Sequence, residues 1–193
     1  MNAAVPDDLV RRHHLTVEEY YRMAEVGLLA PDARVELIEG EIIDMAPPGN
    51  RHAGVVDQLA ELMIAAVGQR AHVRIQNPLR LDESSEPEPD LTLLKRRPDN
   101  YKRGHPTRAD ALLVVEVSES SLRFDMKRKL PLYARHGTPE VWIIDVAAPR
   151  IHFFHSPNET GFTYTSSTPQ PGLVRLQALP DIALDLTDLL NDL

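Results

Sequence analysis

Hydrophobic residues recur at helical spacing in two early segments of the chain. Thr16 is followed three residues later by Glu19, the pattern of a capping box, and predicts a helix that runs to about Val26. In HAGVVDQLAELMIAAVG, one helical stripe that closes at Gly68 holds Val55, Val56, Leu59, Leu62, Met63, Ala66 and Val67. The pattern therefore predicts two amphipathic helices.

Short apolar runs rich in β-branched residues predict a sheet. VELIEGEIIDM holds two runs joined at Glu39 and Gly40, the pattern of a hairpin. AHVRIQNPLRL, DLTLL, ALLVVEVS and EVWIID predict further strands, and RIHFFH, FTYTS and GLVRLQ predict a later antiparallel meander. A helix is predicted over SSLRFDMKRKLPLYARHG, with a kink or restart at Pro131, which has no N–H to donate. The alternation of helices and strands indicates an α/β domain.

Three acidic residues interrupt or border these apolar strands. Glu116 lies within ALLVVEVS, Glu36 lies in the first hairpin strand, and Asp90 directly precedes DLTLL. An unpaired carboxylate in an apolar interior is costly, so it is expected to be protonated or held by a cation. Carboxylates suit Mg²⁺ or Mn²⁺, which take only one or two of them and leave room for a substrate phosphate.

The residues alone also allow structural explanations. Glu116 could pair with an arginine, Asp90 could be a turn residue, and Glu36 could be the exposed position of the hairpin. Lys129 follows Asp125 by four residues, which is the spacing of a helical salt bridge.

His52 lies just before the apolar stripe of the second predicted helix. We expect it to be a helix-start or satisfied core histidine rather than a ligand, with contact to a phosphate at the helix N-terminus as the alternative.

The segments PEPD, VVEVS and DMKRKLPLY resemble a restriction-endonuclease-like family of the PD-(D/E)XK nuclease superfamily, once classed as a domain of unknown function. The resemblance runs from about Leu15 to the C-terminus and includes LTVEEY, PPGNRH and KLPLYARHGTPEVWIID. It implies a restriction-endonuclease-like fold, in which helices flank a central mixed β-sheet. A single domain is expected over residues 15–193, after a flexible N-terminal tail over residues 1–14.

The resemblance implies three catalytic residues. Pro-Asp followed by a strand with Glu-x-Lys is the superfamily pattern, and it carries over to Asp90 and Glu116 as metal ligands. The lysine position of that strand is Ser118 in this chain. The corresponding lysine is therefore Lys129 on the following helix, with Lys127 as the alternative.

The resemblance also implies that Glu36 and the backbone carbonyl of Val117 bind the metal. The implied activity is Mg²⁺- or Mn²⁺-dependent hydrolysis of DNA phosphodiester bonds by an endonuclease. Two other functions stay open: a catalytically silent interaction module with the same fold, and a metal phosphohydrolase acting on small nucleotides.

A basic segment, KRRPDNYKRGHPTR, separates the strands of Asp90 and Glu116. The chain carries a net charge of −8, so this segment is an exception to its overall acidity. Most charge runs are solvated loops, but in a nuclease this loop is expected to contact DNA phosphates. The candidate contacts are Arg96, Arg97, Lys102 and Arg103, and Tyr101 is a candidate stacking surface.

Composition narrows the remaining classes. The chain contains no cysteine, which excludes disulfides and thiolate metal sites. Asp7 and Asp8 occupy the place where a secretory signal needs an apolar core, and no run approaches membrane-spanning length. We therefore expect a cytoplasmic protein without membrane contact, and the sequence leaves a homodimer open.

Overall fold

Residues 12–193, which the computed structural model describes, form helices on both faces of a mixed sheet. The helical elements are α1 (Val17–Glu25), α2 (Asn50–Val67), α3 (Leu122–Phe124), a π-helical turn (Asp125–Lys129) and α4 (Leu130–Arg135). The strands are β1 (Val35–Ile38), β2 (Glu41–Asp44), β3 (Ala71–Ile75), β4 (Leu91–Lys95), β5 (Ala111–Ser118), β6 (Glu140–Asp145), β7 (Arg150–Asn158), β8 (Gly161–Thr168), β9 (Leu173–Arg175) and β10 (Ala183–Asp185). The predicted α/β class with a mixed sheet is confirmed.

The main sheet has the strand order β3-β4-β5-β6-β7-β8. Strands β5 and β6 pair in parallel, while the other neighbours are antiparallel. A parallel pair needs a crossover connection, and α3, the π-helical turn and α4 supply it. These helical elements therefore return the chain to the sheet directly beside Glu116.

The predicted meander is correct for RIHFFH and FTYTS, which form the antiparallel pair β7 and β8, but wrong for GLVRLQ. Strand β9 in that segment pairs with β10 in a separate two-stranded sheet. Pro169 and Pro171 separate β8 from β9, and proline cannot donate to a strand ladder. Leu176, Ile182 and Leu184 of this region join the apolar cluster that includes residues of α2.

Alternation along β5 divides the core between the two faces of the sheet. Leu113, Val115 and Val117 pack in the cluster that contains α2. Val114 packs in the second cluster, with Tyr133 of α4. The same alternation turns Glu116 towards the α4 face.

The helix after β5 contains the disturbance predicted at Pro131. Residues Asp125–Lys129 form a wide π-helical turn, and the N–H of Leu130 donates to the carbonyl of Asp125, five residues earlier. Pro131 follows at the start of α4 and cannot donate a backbone hydrogen bond. The wide turn changes the rotational position of Lys129 relative to a regular α-helix.

The first elements form as predicted. Thr16 caps α1, and the hydrogen bonds between Thr16 and Glu19 complete a capping box. Strands β1 and β2 form the hairpin, with positive φ angles at Glu39 and Gly40.

The predicted tail falls mainly on residues 1–11, which lie outside the described residues. His14 lies 2.8 Å from the carbonyl oxygen of Glu39, measured from Nδ1. A Cβ atom at Gly40 would come within 2.5 Å of the His14 Cβ. Contacts with the domain therefore begin before residue 15. Within residues 12–193, no helix has both the length and the apolar character needed to cross a membrane.

Candidate active site

A cleft of about 340 Å³ opens where the hairpin, the start of α2, the end of β5 and the π-helical turn meet. Its lining is strongly acidic, because it contains seven carboxylates but only one lysine and one arginine, besides one histidine. The carboxylates are Glu36, Asp44, Glu88, Asp90, Glu116, Glu119 and Asp125. Such an excess of negative charge in a partly buried cleft favours the binding of a cation.

Lys129 and Glu116 form a buried ion pair in this cleft. The Lys129 Nζ lies 2.9 Å from Glu116 Oε1 and 3.0 Å from Glu36 Oε2. Glu36 Oε2 also accepts a hydrogen bond from the N–H of Glu88. Tyr133, one turn after Lys129, donates its hydroxyl to Glu116 Oε1 at 2.5 Å. Lys129 is thus shared by two carboxylates from distant parts of the chain.

The ion pair leaves the charge of Glu116 incompletely balanced. Burial raises the pKa of Glu116 to about 8, although Lys129 acts in the opposite direction. Burial also acts to lower the pKa of Lys129, but the adjacent Glu116 and Glu36 outweigh it and raise that pKa above its usual value. Lys129 is therefore a permanent cation, whereas Glu116 in the metal-free protein takes up a proton near neutral pH.

Asp90 lies directly before β4, at the edge of the cleft. Its Oδ2 accepts a hydrogen bond from the N–H of Val117 at 2.8 Å, and its Oδ1 accepts one from Gln76 at 3.2 Å. Burial acts to raise the pKa of Asp90, but the hydrogen bonds from His52 and Val117 outweigh it and lower that pKa. Asp90 is therefore held as a carboxylate next to the end of β5.

His52 is the site residue that sequence reasoning missed. Its Nε2 lies 3.1 Å from Asp90 Oδ1, and this hydrogen bond raises the pKa of His52. Its Nδ1 is buried without a hydrogen-bond partner among the described residues. The available signal was a polar residue on the apolar face of α2, which a helix-start role does not require. His52 therefore lies at the start of α2, as expected, and its contact with Asp90 is the feature that the sequence did not predict.

The donor chemistry at this site fits a hard divalent metal. Glu116 lines the cleft, and its Oε2 has no hydrogen-bond partner in the described part of the chain, so Oε2 is available to a ligand in the cleft. Asp90 and Val117 also line the cleft. Two carboxylates and a carbonyl are ligands that Mg²⁺ and Mn²⁺ accept, with water completing the coordination.

Glu36 lies in a different position from these oxygens. Across residues 12–193, no three acidic or histidine side chains converge closely enough to hold an ion together. Glu36 instead contacts Lys129 and the N–H of Glu88. Its contacts therefore indicate a partner for the lysine rather than a third ligand beside Asp90 and Glu116.

The two candidate lysines differ in placement. Lys129 is 4 % exposed and enters the cleft, whereas Lys127 is exposed to solvent. The alternative salt bridge between Lys129 and Asp125 is not formed within the described residues. Asp125 instead accepts hydrogen bonds from Ser118 at 2.7 Å and Ser121 at 2.6 Å.

The basic loop leaves the sheet at the end of β4 opposite Asp90. Lys95 lies five positions after Asp90, which corresponds to about 16 Å at about 3.3 Å per residue. Arg96 donates to Gln69 just after α2, while Lys102 and Arg103 are exposed. The four candidate DNA contacts are therefore not among the residues that line the cleft.

Tyr101 is also unavailable as a stacking surface. Its side chain is 6 % exposed, and its hydroxyl donates to the carbonyl of Lys95 at 2.7 Å. The guanidinium of Arg97 lies over its ring at 4.6 Å. Tyr101 therefore stabilises the loop, and the prediction of base stacking is wrong.

Comparisons with known proteins identify the family and the fold. Residues 17–187 match the model of the family described as "Uma2: Putative restriction endonuclease". No curated protein matches the chain. Among solved structures, the chain is similar to a crystal structure described as a "putative nuclease" from Anabaena variabilis ATCC 29413, with 17% sequence identity and a TM-score of 0.68. The alignment covers 91% of this chain and 97% of that chain, and it supports the same nuclease-like fold.

Proposed function

The chain belongs to the family of putative restriction endonucleases, and from that premise we propose that it is a divalent-metal-dependent DNA endonuclease. The reaction is hydrolysis of phosphodiester bonds, with Mg²⁺ or Mn²⁺ as the cofactor. Asp90, Glu116 and Lys129 are the proposed catalytic residues.

One observation carries this proposal. Asp90 and Glu116 line a single cleft together with Lys129, whose Nζ lies 2.9 Å from Glu116. Burying several carboxylates around one lysine is unfavourable for stability alone, because the desolvation of each charge is costly. Binding of a dication and a phosphate would explain why these charged groups are buried together, since carboxyl groups with perturbed pKa values cluster at functional sites.

The metal would be held by Asp90, Glu116 and the carbonyl of Val117, and when bound it supplies a Lewis acid for the phosphate and lowers the pKa of a coordinated water. His52 and the N–H of Val117 orient Asp90 through their hydrogen bonds. Lys129 offers its ammonium to the attacking water or to the negative charge that develops on the phosphate.

Glu36 has a separate part in this proposal. We expected it to bind metal, and its contact of 3.0 Å with Lys129 favours a role in holding the ammonium at the cleft. Because Lys129 then keeps one carboxylate partner when Glu116 binds metal, it stays charged and in place.

DNA is the proposed substrate and partner. Arg34 lines the cleft and can reach the phosphates nearest the reacting one. The basic loop with Arg96, Arg97, Lys102 and Arg103 lies about 16 Å from Asp90, as estimated from the rise of β4. Phosphates of one strand advance by about 3.4 Å along the axis of duplex DNA, so a loop about 16 Å away along that axis would contact phosphates about five nucleotides from the cleaved bond.

The test is nicking of supercoiled plasmid by the purified full chain with Mg²⁺, with Mn²⁺ and with EDTA. We expect cleavage only with metal, and we expect Asp90→Asn and Glu116→Gln to abolish it. Glu119→Gln is the matched control, because Glu119 also lines the cleft but forms a salt bridge with Arg51. Cleavage by both Asp90→Asn and Glu116→Gln at the wild-type rate would refute the assignment.

Two other outcomes separate the alternatives. Binding of DNA without any cleavage under all metal conditions would favour the silent interaction module. Hydrolysis of nucleotides with an intact plasmid would favour the small-molecule phosphohydrolase.

A further inference from the structure

Tyr133 is a core residue of α4 whose hydroxyl contacts Glu116, a residue of the cleft lining. Its side chain is 0 % exposed, and its hydroxyl donates to Glu116 Oε1 at 2.5 Å. The buried ring cannot turn away, so this donor is fixed in position.

The two donors to Glu116 act on the same oxygen. Lys129 and Tyr133 both contact Oε1, whereas Oε2 has no donor in the described part of the chain. The terminal torsion of a glutamate side chain is broad, so a carboxylate without such contacts rotates readily. Holding Oε1 therefore leaves Oε2 directed at the cleft.

Lys129 is shared between two carboxylates and so does not orient Glu116 alone. Its ammonium sits on a flexible four-carbon stem, and it also contacts Glu36 at 3.0 Å. In the proposed reaction the same ammonium acts on water or phosphate. The rigid contact on Glu116 is thus the one from Tyr133.

We propose that Tyr133 is a positioning residue that locks Glu116 Oε1 and so presents Oε2 to the divalent metal. The inference rests on the proposed function, because it requires metal to bind at Glu116. Under this proposal Tyr133, which does not line the cleft, affects metal affinity rather than the chemical step. Hydrogen bonds to metal-binding side chains commonly change metal affinity by about 10–100-fold.

The test compares Tyr133→Phe with the wild type by titration calorimetry with Mn²⁺. We expect the dissociation constant to rise by about 10–100-fold. Nicking should be slow at low Mn²⁺ and should largely recover at saturating Mn²⁺. Lys129→Met should show the opposite separation, with metal binding retained and nicking lost at every Mn²⁺ concentration.

The chain offers a matched control for the loss of a tyrosine hydroxyl. Tyr21 donates to Glu86, a buried carboxylate that does not line the cleft. Tyr21→Phe therefore removes the same type of hydrogen bond away from the proposed metal. We expect its Mn²⁺ affinity to equal that of the wild type. Melting temperatures are measured for both variants, and a variant that melts below the assay temperature is compared on ice.

Three outcomes distinguish this inference from the proposed function. An unchanged Mn²⁺ affinity in Tyr133→Phe, or an equal loss in Tyr21→Phe, would overturn the inference while leaving the nuclease proposal intact. Tight Mn²⁺ binding by the wild type without cleavage would sink the nuclease proposal, and Tyr133 would be judged by affinity alone. A wild type that binds no metal would overturn both.

Discussion

Replacing Lys129 by methionine tests the buried ion pair most directly. Methionine keeps much of the apolar stem but removes the ammonium, which contacts Glu116 Oε1 at 2.9 Å and Glu36 Oε2 at 3.0 Å. Both carboxylates are 3 % exposed, so water cannot replace the lost partner without rearrangement. We therefore expect Lys129→Met to be destabilised in metal-free buffer.

The size of the loss follows from these contacts. Removing one partner from a buried ion pair costs about 3–5 kcal/mol, because a buried charge stays unpaired. For a chain of this length, each 1 kcal/mol corresponds to about 2–4 °C, so the melting temperature should fall by about 6–20 °C. The loss of stability should be larger at about pH 8.5 than at about pH 6. At the higher pH, Glu116 cannot remove its unpaired charge by taking up a proton.

The assay is thermal unfolding in EDTA, followed by plasmid nicking with saturating Mn²⁺. The control is Lys127→Met, because Lys127 is exposed and its loss should change stability by no more than about 0.5 kcal/mol. Lys129→Met should also lose about 10²–10³-fold in nicking rate, the usual effect of removing one donor to developing charge. Equal melting temperatures for the two variants would refute the ion-pair reasoning, and normal nicking by Lys129→Met would refute its catalytic role.

The pKa of Glu116, raised to about 8 by burial, exceeds that of an ordinary glutamate, so its contribution to stability is present at low pH and is lost as the pH rises through about 8. The melting temperature of the metal-free protein should thus fall between about pH 6 and about pH 8.5. Glu116→Gln should reduce this fall, and an identical pH profile in that variant would contradict the assignment of the raised pKa to Glu116. For the basic loop, exchanging its four candidate residues for glutamine should weaken DNA binding alike for all sequences and reduce the slope of log affinity against log salt by about 0.9 per lost phosphate contact. The residues exchanged are Arg96, Arg97, Lys102 and Arg103. Binding is measured with Ca²⁺ in place of Mg²⁺, and an unchanged slope would mean that the loop is only solvated.

Local patterns in the sequence predict the helices, the strands and the acidic residues of the candidate site. The capping box at Thr16, the apolar stripe of α2 and the run ALLVVEVS each depend on residues near one another in the chain, so their patterns predict structure directly. The charge of Glu116 inside a buried strand predicted either protonation or a cation partner before any contact was known. The resemblance then implied Asp90 as a metal ligand and Lys129, with Lys127 as the alternative, as the lysine.

The contacts between these side chains depend on how distant segments of the chain pack together. Asp90 and Val117 are 27 positions apart, and Tyr133 and Glu116 are 17 apart, yet both pairs are hydrogen-bonded. A hydrophobic pattern shows that a residue is buried but not which partner it contacts, and so it could not predict the contacts of Tyr133 and His52.

The position of the charged loops was also a matter of tertiary structure. The sequence places the basic loop between the strands of Asp90 and Glu116, but antiparallel pairing of β4 and β5 puts the connecting loop at the opposite end from the acids. The π-helical turn likewise sets the rotation that brings Lys129 into the cleft and leaves Lys127 in solvent. Both results depend on strand direction and helix register, and these are fixed when the elements pack together rather than by the residues of any one segment.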